Sequence, residues 1–209
     1  MNTTPSPRPS TTLRGVTGLD DRLPRLSESA LILIDFQNTY RTGVMALEGA
    51  DAAVAAGARL LARARAAGRP VVHIVHDGGD GTPYDIRARI GAISDEVAPA
   101  AGEPVVVKNY PDAFHRTDLR KTLDDLGVGT GGDLILAGLM AHMCVTFTAQ
   151  GAFHHGYRPT VVAEATATRS LTAPDGTVLP ASTLKTAALT TVTDLFGVVA
   201  PTVDAIPAQ

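Results

Sequence analysis

The chain has 209 residues, 44% apolar and 19% charged, with a formal net charge of −3 and no long basic run. A chain of this size buries roughly 70% of its unfolded surface in one domain, and the charge balance disfavours nucleic-acid binding by phosphate neutralisation. A single cysteine excludes an intrachain disulfide framework and fits a reducing compartment.

Residues 1–28, rich in Pro, Ser and Thr, read as a tail or arm in which Arg8, Arg14, Arg22 and Arg25 are solvated. They lack the apolar run of a signal peptide. No later stretch approaches the roughly 20 consecutive apolar residues that span a bilayer, so a cytoplasmic protein without membrane contact is expected. Residues 29–209 read as a single domain.

That domain opens with Ala30-Leu-Ile-Leu-Ile-Asp35, a continuous branched run ending in an acid, as in a strand buried on both faces. Gly49 to Ala67 follows as a helix with Val54, Ala58 and Leu61 on one face, stopped by Gly68. Val71 to Val75 is the second strand. Asp77 to Gly102 reads as a polar loop with a short helix near Tyr84 to Arg89. Pro104 to Lys108 is the third strand, again ending in a charge. Leu119, Leu123 and Leu126 mark a helix that Thr117 caps and Gly127 ends. Leu134 to Ala137 is the fourth strand, running through Gly138 into a helix that begins near Cys144. Thr160 to Ala163 is the fifth strand, Leu184 to Leu195 the last helix, and Val198-Val199 a sixth strand. The alternation of strand and helix predicts a three-layer α/β/α domain around a mostly parallel six-stranded sheet.

In such sheets ligands bind outside the carboxyl ends of the strands. Asp35, Lys108 and Cys144 all fall there, and an acid, an ammonium and a thiol on one edge form a plausible acyl-transfer set. Taken singly, each has a structural alternative. A lone cysteine is more often an inert buried hydrophobe, and a strand-ending aspartate or lysine is often a turn residue or a solvated charge. Cys144 departs from that default because a helix start after a glycine turn favours a thiolate.

Three segments, LILIDFQN (31–38), VVVKNYPDAFHRTDL (105–119) and LILAGLMAHMCVTFTAQGAFHHGY (134–157), together resemble the isochorismatase-like cysteine hydrolases, a group that includes nicotinamidases and N-carbamoylsarcosine amidases. The likeness covers roughly residues 28–200. It implies a general base at Asp35, a catalytic lysine at Lys108 and a nucleophile at Cys144. It also implies a cis Leu139–Met140 peptide, an oxyanion hole from the Met140 and Cys144 N–H groups, a strand order of 3-2-1-4-5-6 and a homo-oligomer. Ala141 stands where many relatives carry threonine, so one hydroxyl contact of that turn is missing. Isochorismatases proper often lack the cysteine, so its presence favours thiol chemistry on a small amide or carbamoyl substrate without a cofactor. Gln37, Phe114, His115 and His142 flank the catalytic positions and are candidate pocket residues, with Tyr110 a weaker one.

Other signals carry less. Gly127 to Gly132 matches GxGxxG but follows a helix and precedes a strand, the reverse of a dinucleotide fingerprint. His73 and His76 sit three apart on a strand and face opposite ways. The segment His76-Asp-Gly-Gly79 lacks the metal set of zinc nicotinamidases, so no metal is expected. His154 and His155 read as late-helix surface or packing residues. A zinc nicotinamidase and a non-enzymatic binding or assembly protein on the same fold remain the alternatives.

Overall fold

The structure, a computed structural model, describes residues 10–209; Arg8 lies outside them. In chain order it contains α1 (Leu13–Thr17), β1 (Ser29–Ile34), α2 (Ala50–Ala66), β2 (Val71–His76), β3 (Val105–Lys108), α3 (Leu119–Asp125) and β4 (Asp133–Leu139). A π-helical turn, Ala141–Val145, leads into α4 (Thr146–His154). Then come β5 (Arg158–Ala167), the short β6 (Leu171–Thr172) and β7 (Val178–Leu179), α5 (Ala181–Thr191), a second π turn (Val192–Phe196) and β8 (Val198–Ala200).

Six strands form one parallel sheet in the order β3-β2-β1-β4-β5-β8. Every residue of β1 is buried, and its side chains alternate between two cores. Leu31 and Leu33 join Val54, Leu60 and Leu61 of α2 on one face. Ala30, Ile32 and Ile34 join Leu119, Leu123, Ala149 and Val192 on the other. Helices on both faces explain why the strand reads as continuous hydrophobe rather than an alternating pattern.

Two glycines set the spacing around β1. A Cβ on Gly57 of α2 would stand 2.7 Å from Phe36 Cζ, so only glycine lets the helix sit on that ring. Gly138 of β4 has φ 148° and faces β1, where a Cβ would meet Ile34 O at 2.0 Å. Gly138→Ala is therefore expected to cost about 3 kcal/mol through strain and overpacking. Urea denaturation of the variant checks this, and an unchanged midpoint would contradict the close approach.

Several expectations need correction. Arg14 is buried, not solvated. Its Nε binds Asp21 Oδ1 at 2.8 Å, and its two terminal nitrogens donate to the Leu195 and Asp20 carbonyls. No α-helix covers Tyr84–Arg89. Asp85 accepts from the Gly81 and Arg87 N–H groups and holds the chain in turns, with 3-10 segments at Arg89–Gly91 and Asp95–Val97. Cys144 sits inside the π turn, not at the start of α4. The β6–β7 hairpin has no counterpart in the sequence reading, because each strand is only two residues long.

Candidate active site

Parallel pairing places the strand ends that carry chemistry on one edge. Register aligns Ile34 with Ile74 and Gly138, and His76 with Lys108. Asp35 keeps its N–H in the ladder, bonded to Ile74 O at 3.0 Å, and then turns left-handed at φ 51°. Asp tolerates that region better than most residues, so the chain leaves the sheet there with the carboxylate held at its edge. Past β4 the Leu139–Met140 peptide is cis, as the family resemblance implies.

The three predicted residues come together. Lys108 Nζ lies 2.7 Å from Asp35 Oδ2 and donates to Cys144 Sγ at 3.3 Å. Both charged side chains are fully buried, and Cys144 is 6% exposed. The lysine–carboxylate contact is off the hydrogen-bond direction, and neither Asp35 oxygen has a directed donor. At 2.7 Å it is still an ion pair, because Coulomb attraction has no angular requirement. Lys108 Nζ also lies 3.4 Å from His76 Nδ1. An ammonium only donates, so His76 presents a lone pair at Nδ1 and is neutral there. Burial and then the Lys108 charge push the His76 pKa down, which fits.

Electrostatics define the resting state. Burial works against the Lys108 ammonium, yet Asp35 and Cys144 outweigh it and hold its pKa above the ordinary lysine value. Burial, then Asp35, push the Cys144 thiol up to about 12, and Lys108 only partly opposes them. The cluster therefore rests as a carboxylate–ammonium pair beside a neutral thiol. The thiolate expected from a helix start does not form at rest, because desolvation and the neighbouring carboxylate win.

The flanking candidates are placed less uniformly. Gln37 is fully buried; its Nε2 donates to the His76 and Gly91 carbonyls and its Oε1 accepts from His76 N. It clamps β2 beside the site and has little bonding capacity left for a substrate. Phe114 packs against His155 and Tyr157 in the same buried apolar cluster that contains Cys144. His115 is exposed and meets Tyr110 edge-on in a surface groove beside α4. His142 is half-buried two residues before Cys144, its Nδ1 against Thr168 Oγ1. His154 and His155 are exposed. His73 binds Glu103 at 2.8 Å on the other face of β2 from His76. Among the described residues no group of three or more His, Cys, Asp or Glu is arranged to hold a metal ion.

Two tyrosines were not anticipated. Tyr40 is buried, and burial, then the neighbouring Asp35 and Cys144, drive its pKa far up. Tyr84 lies edge-on to both Tyr40 and His76. Both come from irregular segments, where no periodicity exists to assign a face. His76 had a readable signal, since pairing the second and third strands end to end puts it opposite Lys108.

A family profile described as Isochorismatase domain matches residues 29–202. A solved isochorismatase from Pseudomonas putida KT2440 is 40% identical with a TM-score of 0.87, over 93% of this chain and 98% of that one. The secreted isochorismatase effector Isc1 of Verticillium dahliae is 31% identical over 185 residues, covering 88% of this chain and 93% of the effector. A maleamate amidohydrolase from Pseudomonas putida is 36% identical over 158 residues, covering 65% of this chain and 70% of that protein. Among the described residues no helix is long and apolar enough to cross a membrane.

Proposed function

The chain belongs to the isochorismatase family of hydrolases, and on that premise we propose that it is a thiol amidohydrolase, cleaving a C–N bond of a small amide or carbamoyl compound through a Cys144 thioester. The observation that carries this reading is the buried Asp35–Lys108–Cys144 cluster, with its sulfur 3.3 Å from the ammonium and the ammonium 2.7 Å from the carboxylate. An amidohydrolase relative supports the bond type.

In this mechanism Asp35 takes the thiol proton as the sulfur attacks the substrate carbonyl carbon. Because the resting thiol is neutral, proton removal and attack belong to one step. The Met140 and Cys144 N–H groups hold the oxyanion; loss of one such donor typically costs ~2.7–4 kcal/mol of barrier. Collapse breaks the C–N bond, and the amine leaves with the proton from Asp35. Water, deprotonated by Asp35, then releases the acid and restores the thiol. Lys108 stays charged throughout and balances whichever neighbour is anionic.

Acid-quenched turnover followed by intact mass spectrometry is expected to show an acyl adduct on Cys144 that hydroxylamine removes. Steady hydrolysis with no adduct, unaffected by alkylation of Cys144, would eliminate the thioester route. A binding protein that merely kept the fold would gain nothing from burying an ion pair against a thiol, since such pairs are weak sources of stability. The same reading takes the protein as a cytoplasmic homo-oligomer. Its lone cysteine forms no intrachain disulfide, and Val105 and Val107, each 45% exposed on edge strand β3, offer apolar surface to a second copy.

A further inference from the structure

His76 closes β2, opposite Lys108 in the parallel pairing with β3. The side chains of Lys108 and Asp35 are fully buried, whereas His76 is only half-buried. It is therefore the member of the group open to solvent. Its backbone is held on both sides, since Gln37 Oε1 accepts from His76 N at 3.0 Å and Gln37 Nε2 donates to His76 O at 2.9 Å. Its ring meets Tyr84 edge-on, with centroids 5.1 Å apart. Gly78 N donates to Tyr84 O at 3.2 Å, closing the loop that brings Tyr84 back to the strand end. Strand pairing, clamp and ring contact together fix where the imidazole lies.

Three acceptors surround Lys108 Nζ: Asp35 Oδ2 at 2.7 Å, Cys144 Sγ at 3.3 Å and His76 Nδ1 at 3.4 Å. An ammonium has three protons and is costly to bury with any of them unmatched. Asp35 and Cys144 have tasks in the proposed reaction, and the imidazole supplies the remaining acceptor. Protonating the ring removes that lone pair and sets a second cation against the ammonium. The groups facing the ring are Lys108 from β3, Asp35 from the end of β1, Asp77 next in the chain and Tyr84 from the turns beyond it. Burial, then Lys108, hold the His76 pKa below its ordinary 6.5, and Asp35 and Asp77 oppose them only in part.

We propose that His76 is a positioning residue for the Cys144 chemistry: its neutral Nδ1 steadies the Lys108 ammonium between carboxylate and sulfur, and protonation of the ring switches the site off. This rests on the thiol hydrolase reading and adds its pH control. Repulsion between the two cations drives Lys108 from its partners once the ring is charged. Activity is therefore kept above the His76 pKa and lost as pH falls through it, at a value below 6.5.

Two variants separate the lone pair from the titration. Asparagine places an acceptor oxygen near the Nδ1 position and does not titrate; phenylalanine keeps a ring against Tyr84 and has no acceptor. His76→Phe is expected to lower kcat about ten- to hundred-fold with KM little changed, the cost of a misplaced catalytic group. His76→Asn recovers most of that loss at mildly alkaline pH, and the acid limb of its log kcat/KM profile is shallower than wild type by one proton. A wild-type kcat in His76→Phe, or a wild-type slope in His76→Asn, overturns the proposal.

Long-range nitrogen–proton NMR spectra of the histidines read the same contact without substrate, the His76 signal being identified by its loss in His76→Asn. They are expected to show the neutral ring with its proton on Nε2, and a titration midpoint that rises in Lys108→Met. Asp35→Asn/Lys108→Met replaces that variant if it melts too early, since Lys108 outweighs Asp35 at the ring. A proton on Nδ1 of the neutral ring, or a midpoint indifferent to Lys108, overturns the proposal even where His76→Phe fails to fold. Cys144-dependent turnover alongside such spectra sinks only the positioning role. Turnover untouched by alkylation of Cys144 sinks the thiol mechanism, while the spectra still decide whether His76 holds Lys108.

Discussion

Cys144→Ser is expected to lower kcat/KM by about four to six orders of magnitude, the loss seen when the nucleophile is removed from a cooperating triad. Its thermal midpoint should stay close to wild type. Cys144 is small and 6% exposed, and serine occupies nearly the same volume beside the same ammonium. In the proposed mechanism what is lost is the nucleophile, because a hydroxyl is far harder to deprotonate than even a thiol pushed up to about 12. Cys144→Ala serves as the companion, removing the acceptor for Lys108 as well. Steady-state kinetics with a turned-over amide read both. An alanine variant within tenfold of wild type would show that sulfur takes no part.

Asp35→Asn is expected to destabilise the fold by about 3–5 kcal/mol as well as to abolish turnover, because it strands a fully buried ammonium. The backbone does not account for the loss, since asparagine tolerates the left-handed conformation at φ 51° as well as aspartate does. Lys108→Met strands the carboxylate and should cost a similar amount. The double variant Asp35→Asn/Lys108→Met removes both charges and should be more stable than either single one; urea denaturation measures all three. The thiol reports the same electrostatics with a definite sign. After burial, Asp35 is the largest influence raising the Cys144 pKa, and Lys108 is the one lowering it. In Asp35→Asn the thiolate therefore forms at lower pH than in wild type, and the pH profile of alkylation moves down. In Lys108→Met it moves up. An unmoved profile in Asp35→Asn would mean that the carboxylate and the sulfur are not electrostatic neighbours.

These expectations depend on a site whose members were legible in the chain. Asp35 and Lys108 each end a branched apolar run, and in a parallel sheet such runs finish at a common edge. Cys144 follows the fourth run after a glycine turn. The secondary-structure errors fell where local chemistry overrides periodicity. The turns at Tyr84–Arg89 are set by the Asp85 carboxylate, and Arg14 is drawn into the protein by carbonyls of Asp20 and Leu195. Neither partner can be inferred from spacing. Gln37 and Phe114 stood beside candidate catalytic positions in sequence but point into a backbone clamp and an aromatic core, since neighbours along a chain leave it in different directions.

By itself the sequence determined the α/β class, the strand-end placement of the acid, the lysine and the thiol, and the family likeness. The first two follow from continuous apolar runs alternating with helical patterns and from the direction of parallel strands, which are local and repetitive; the likeness rests on the three motif segments. The tertiary structure alone decided that burial and Asp35 push the thiol up, that one ammonium meets Asp35, Cys144 and His76 at once, and that Tyr84 packs edge-on to both Tyr40 and His76. Each of these depends on desolvation and on distances between atoms brought together from separate segments. Such quantities exist only once the chain has closed around them.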